Sequence, residues 1–102
     1  MNIDLNKVSD EKLVIALEGR LDTTTAPALE KEVRENIEGL TSLTFDFTNL
    51  EYISSAGLRV LLVAQKTMNK QGEMAICHVS EPIMEVFEIT GFVDILTIEK
   101  GE

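Results

Sequence analysis

The chain has a single cysteine, Cys77, in 102 residues, so it can form no internal disulfide. That suits a reducing compartment. Two prolines and six glycines leave no collagen-like or low-complexity composition. No apolar run is longer than Val60–Ala64, far short of the roughly 20 residues that a membrane-spanning helix needs. The N-terminal stretch MNIDLNKVSDEK lacks a basic region followed by an apolar one. No secretory leader is therefore expected, and the expected location is the cytoplasm.

Basic residues are scarce, 9 against 18 acidic, for a formal charge of −9. Nucleic-acid backbones and anionic membrane surfaces would repel such a chain. A basic patch on a protein partner would attract it, although acidity also simply keeps a protein soluble. The glycines are scattered and form no phosphate-binding loop, and no cofactor is expected. His78 is the only histidine and has no serine or cysteine at a spacing that suggests catalysis. As neighbours on a strand, Cys77 and His78 should point to opposite faces, which argues against a zinc site. Cys77 is expected to act as a small core hydrophobe. Acidic pairs such as Asp10-Glu11 fall on hydrophilic turns without acid–base context, so no enzyme and no metal are expected.

What the chain does have is apolar material, 44% of its residues, enough for one small domain spanning 1–102. Strand and helix signals alternate along it. Ile3–Val8 reads as an edge strand and Leu13–Leu17 as a buried one, joined at Asp10-Glu11, with a turn beginning at Gly19. Thr23, Thr24 and Thr25 lead into Ala26-Pro27, a helix start. Ala26, Leu29, Val33, Ile37 and Leu40 then mark one helical face as far as Gly39, with Glu30 and Glu32 early in the helix. Leu43, Phe45 and Phe47 alternate with Thr44 and Asp46 as in a strand, and Thr48–Ser54 follows as a loop. A second helix runs from Ser55 to near Gly72, apolar on most sides. Met74–Val79 is a strand. Ser80 starts a third helix that Gly91 ends, and Ile95–Ile98 is a last strand. Strand–helix–strand repeats imply parallel pairing with right-handed crossovers. The expectation is an α/β fold: a mixed sheet of about five strands, opened by an antiparallel hairpin and packed against three to four helices.

The segment Glu51-Tyr52-Ile53-Ser54-Ser55-Ala56-Gly57-Leu58-Arg59 is a strand-end loop entering a helix. It places Ser55 near the N-cap, where a free hydroxyl can accept a backbone N–H. A phosphate there would add roughly two negative charges at the positive end of the helix dipole, which the helix would tolerate. The small residues Ala56 and Gly57 would let another chain approach the hydroxyl.

Tyr52-Ile53-Ser54-Ser55-Ala56-Gly57-Leu58 resembles the signature of the STAS family, the domain of sulphate-transporter tails and bacterial anti-sigma factor antagonists: aromatic, apolar, Asp, Ser, Ser/Thr/Ala, Gly, Leu. Gly19-Arg20-Leu21-Asp22 is similar to the family's Gly-x-Leu-Asp turn. Asp46 matches the polar residue of the third strand, and Ser80-Glu81-Pro82-Ile83 the start of the third helix. The resemblance covers nearly the whole chain. It implies that Ser55 is the phosphorylated serine. Ser54 stands where the family has Asp and is a second candidate acceptor, but spacing from Gly57-Leu58 favours Ser55.

The resemblance further implies partner switching. The unphosphorylated antagonist binds an anti-sigma factor that is itself a serine kinase, and a sigma factor is released. Phosphorylation ends binding, and a serine phosphatase restores it. The partner surface so implied comprises Asp22, Thr23, Thr24, Ser54, Ser55, Ala56, Gly57 and Arg59; small size and high charge favour a monomer. On local sequence alone Ser55 is a simple helix cap, Asp22 equally a turn residue, and Asp46 structural. The alternative function is an unphosphorylated STAS subunit of a transport or signalling assembly, favoured by the missing Asp at Ser54.

Overall fold

A computed structural model of the chain describes residues 1–99. Its elements are β1 (Asn2–Ser9), β2 (Lys12–Leu21), α1 (Ala26–Asn36), β3 (Ser42–Ile53), α2 (Ser55–Met68), β4 (Glu73–Cys77), α3 (Glu81–Thr90) and a 3-10 turn at Phe92–Asp94. The sheet order is β1-β2-β3-β4. β1 pairs antiparallel with β2, while β2 with β3 and β3 with β4 are parallel.

The alternation of side chains explains the layering. Leu13, Ile15 and Leu17 on β2, Leu43, Phe45 and Phe47 on β3, and Met74 and Ile76 on β4 are buried, and they share one core with Leu29 and Val33 of α1, Leu61 and Met68 of α2, and Ile83 and Phe87 of α3. The intervening Thr44, Asp46, Ala75 and Cys77 are only half-buried and form the opposite sheet face. Phe87 carries α3 onto β3, its ring centroid 6.4 Å from that of Phe47. At about 25 cal/mol per Å² of apolar surface removed from water, this one-sided layer is the main stabilising term.

Several of the expectations change. The sheet has four strands, not about five: Ile95–Ile98 contributes a single bridge, Ile76 to Ile98. The apolar residues before it are used in turns, with Ile95 and Leu96 both donating to the Phe92 carbonyl. The helices number three, plus the 3-10 turn. Thr48–Ser54 is not a loop, because β3 continues to Ile53. Two register shifts, between Ala16/Glu18 and between Gly19/Arg20 of β2, insert extra residues in β3. Burial then passes from Phe47 to Leu50 to Ile53, a step of three that erases strand alternation. Gly19 does not begin a turn either. It lies inside β2 with φ of 102°, a conformation that glycine adopts without strain. α1 ends at Asn36, short of Gly39, and has no acidic residue in its first turn, so Glu30 and Glu32 lie beyond the dipole's reach.

Candidate functional site

β2 and β3 end side by side, with Leu21 paired to Ile53 and the Ser54 amide donating to the Leu21 carbonyl at 2.9 Å. This pairing sets the turn at Asp22 beside the start of α2. The Asp22 turn is densely bonded. Its Oδ1 accepts from the Thr24 amide (3.0 Å), the Thr24 hydroxyl (2.8 Å) and the Thr25 amide (3.2 Å). The Thr25 hydroxyl donates to the Arg20 carbonyl at 2.7 Å and accepts from the Asp22 amide at 2.8 Å. The Thr24 hydroxyl holds the Asp22 carboxyl below the usual carboxylate range. Desolvation opposes this, and the Thr24 and Thr25 amides add to it. Arg20 lies over the Tyr52 ring, 4.2 Å from its centroid, with Nε 3.8 Å from Asp22 Oδ2.

The start of α2 is bonded far less. Ser54, not Ser55, is the N-cap, and its side chain makes no cap bond. Its Oγ is buried and has no hydrogen-bond partner among the described residues. Ser55 is the first helical residue and is exposed. The first-turn amides of a helix lack carbonyl partners within it, so they face outward here without a side chain to cap them.

Among the sequence candidates, the structure brings Asp22, Thr23, Thr24, Ser54, Ser55 and Ala56 to one end of the sheet. Arg59 lies one turn further along α2. Thr23, Ala56 and Arg59 line a shallow cleft of about 180 Å³ between α1 and α2. Gly57 is apart from them: it is buried. A Cβ there would come within 2.6 Å of Leu21 Cγ and 2.9 Å of Ile53 Cγ1. Its small size therefore serves the packing of α2 onto the ends of β2 and β3.

The chain matches the STAS domain over residues 2–102. It belongs to the STAS domain family. A Bordetella bronchiseptica protein, BtrV, named as a candidate anti-sigma factor antagonist, is 38% identical over 100 residues, covering 96% of this chain and 85% of its own. The anti-sigma-B factor antagonist of Listeria monocytogenes is 31% identical over 105 residues, covering 100% of this chain and 91% of its own. The fold matches the anti-sigma factor antagonist SpoIIAA in its unphosphorylated form with a TM-score of 0.84, at 21% identity over 96% of this chain and 88% of that one. The phosphorylated Bacillus SpoIIAA gives a TM-score of 0.76, at 21% identity over 96% and 91%.

Two features of this STAS domain were not visible in its sequence. Val63, within the apolar run of α2, is 51% exposed. It lines both the cleft beside Thr23 and a second one, of about 110 Å³, bordered by Val33, Ile37 and Thr67. The apolar run was the signal, but periodicity alone reads such a residue as core. The second feature is on the other sheet face. Cys77 and His78 do not point apart. His78 has φ of 59°, and its ring nitrogen, Cys77 Sγ and an Asp46 carboxylate oxygen lie within 4.8 Å of one another. A break in extended geometry at the end of β4 defeats the strand rule. Burial pushes the Cys77 thiol up, and Asp46 and Glu99 push it further. Burial also raises the Asp46 carboxyl, but the Thr48 hydroxyl and amide, with His78, more than offset that and leave it below the ordinary value. Cys77 is half-buried on the open face and is not a core residue.

No helix among the described residues is long and apolar enough to cross a membrane.

Proposed function

We propose that this chain is an anti-sigma factor antagonist, switched by phosphorylation of Ser55. It binds an anti-sigma factor that is also a serine kinase, and a serine phosphatase reverses the modification. The carrying observation is the difference between adjacent serines: Ser55 is exposed on the first turn of α2, whereas the Ser54 hydroxyl is buried. The names of relatives that span nearly the whole chain support the antagonist reading.

The physical chain of events is short. Ser55 immediately precedes Ala56, which lines the α1–α2 groove, where Val63 offers an apolar contact and Thr23 and Arg59 a polar rim. Phosphorylation places about two negative charges at that rim. The uncapped amides and dipole of α2 accept the group without unfolding the domain. A partner that has closed over the hydroxyl must now desolvate the phosphate, and each 1.4 kcal/mol or so of penalty weakens binding about tenfold.

The test is incubation with the cognate kinase and ATP, read by mass spectrometry. Phosphate is expected on Ser55, retained in Ser54→Ala and absent in Ser55→Ala. Ser55→Asp is expected to weaken kinase binding at least tenfold by calorimetry. If neither serine is modified and Ser55→Asp binds like the parent, the switch is wrong. Ser54 in place of the family's Asp favours the second reading, an unphosphorylated subunit of a transport or signalling assembly, and that result would turn the assignment to it.

A further inference from the structure

The cluster of Asp46, Cys77 and His78 has no part in the switch. Asp46 and Cys77 are a registered pair across the parallel strands β3 and β4, and both project from the sheet face away from the helices. The chain then enters the left-handed region at His78, which few residues other than glycine visit. That conformation folds the imidazole back toward the pair, instead of across the sheet. The three donor atoms, one oxygen, one sulfur and one nitrogen, all fall within 4.8 Å of each other. Thr48 binds Asp46 through Oδ1 alone, by its amide at 3.0 Å and by its hydroxyl. The carboxylate is thus oriented by a neighbour through one oxygen, as outer groups fix metal-binding carboxylates.

We propose that Asp46, Cys77 and His78 form a binding site for a divalent transition metal of the zinc class, with water completing the coordination. Thiolate and imidazole donors select zinc or cobalt over magnesium or calcium, which require oxygen donors. In a tetrahedral centre with bonds of about 2.0–2.3 Å, donors sit about 3.5 Å apart. The present spacing therefore needs a contraction of about 1 Å. Side-chain rotation of the exposed His78 and the half-buried Asp46 and Cys77 would have to supply it. Three protein ligands with one open position is the arrangement of an exchangeable site rather than a closed structural one. Ile53 lies seven positions beyond Asp46 along β3, so the site is roughly 20 Å from Ser55 and independent of the switch reading.

The test uses the full chain, reduced, titrated with Co²⁺ and then with Zn²⁺. Co²⁺ is expected to give a thiolate-to-cobalt charge-transfer band in the near ultraviolet with visible tetrahedral bands, and Zn²⁺ is expected to bleach both. Because Cys77 is the only cysteine, a thiol reagent reports on it alone, and Zn²⁺ is expected to slow its modification at least tenfold. Cys77→Ser should abolish the charge-transfer band. Asp46→Asn and His78→Gly should each weaken Co²⁺ binding at least tenfold, with far-ultraviolet circular dichroism showing the fold retained. Glycine at 78 suits the positive φ and keeps the backbone while removing the ligand. Ser55→Ala should bind Co²⁺ like the parent. Absence of the charge-transfer band, or parental affinity in folded Cys77→Ser and His78→Gly, would overturn the site and leave the Ser55 switch untouched.

Discussion

The starts of α1 and α2 lie next to each other and are built on opposite plans. The approach to α1 is saturated: the Asp22 carboxylate, the Thr24 and Thr25 amides and two threonine hydroxyls bond one another, and the Ala26 amide donates to the Asp22 carbonyl at 2.8 Å. Neither N-cap, Thr25 nor Ser54, makes a side-chain cap bond, but the approach to α2 is starved: it has an orphaned Ser54 hydroxyl and an exposed Ser55. A saturated turn is rigid and spends most of its bonding capacity within itself. An uncapped helix start keeps its donors in reserve and forgoes stabilisation, typically ~1 kcal/mol per cap. The pair teaches that a site can borrow its rigidity from a neighbour and keep its own polar groups free.

Four substitutions would break or sharpen that contrast. The largest loss is expected from Gly57→Ala, which forces a Cβ into Leu21 and Ile53 and so pries the α2 start from the turn beside it. Overpacking of this kind costs about 1–3 kcal/mol, and each kcal/mol lowers Tm by about 4–8 °C in a domain this small. Calorimetric scanning reads it directly.

Next comes Asp22→Asn, which weakens the saturated turn. The folded-state carboxyl of Asp22 lies below its ordinary value. Its contribution is therefore present above the unfolded pKa and is lost as pH falls through the folded one. Denaturant titrations from neutral to acid pH should show the parent losing that increment and the variant lacking it throughout, with the two curves converging in acid.

Ser54→Ala is expected to leave stability unchanged or raise it slightly, since it removes a buried hydroxyl that has no partner. A clear loss of Tm would mean that the hydroxyl is bonded after all. Ser55→Ala, on an exposed position, should shift stability by less than about 0.5 kcal/mol while removing the phosphate acceptor. Beyond the two starts, Val63→Asp should leave the fold intact and weaken kinase binding by more than about 1 kcal/mol, as expected of a central apolar contact.

How much of this was legible depends on whether local rules govern the segment. α3 was, because Ser80, Pro82 and Gly91 mark its ends and Ile83 and Phe87 its buried face. β1 and the first half of β3 were legible by alternation, and the first half of β2 as a short apolar run. The second half of β3 was not: bulges need a partner strand to define them, and they shift the burial step from two residues to three. The start of α2 was legible from the serine motif, but which serine faces solvent depends on how α2 leaves Ile53. Cys77 and His78 were misplaced for the same kind of reason, one backbone angle that tertiary context sets.

Tyr52 gives the molecule an optical property of its own. The chain has no tryptophan and one tyrosine, so its intrinsic fluorescence comes from a single ring. That ring is 40% exposed, stacked under Arg20, and two residues before the cap of α2. Its emission thus reports on the start of α2, and the binding or modification proposed there can be followed in real time with no label attached.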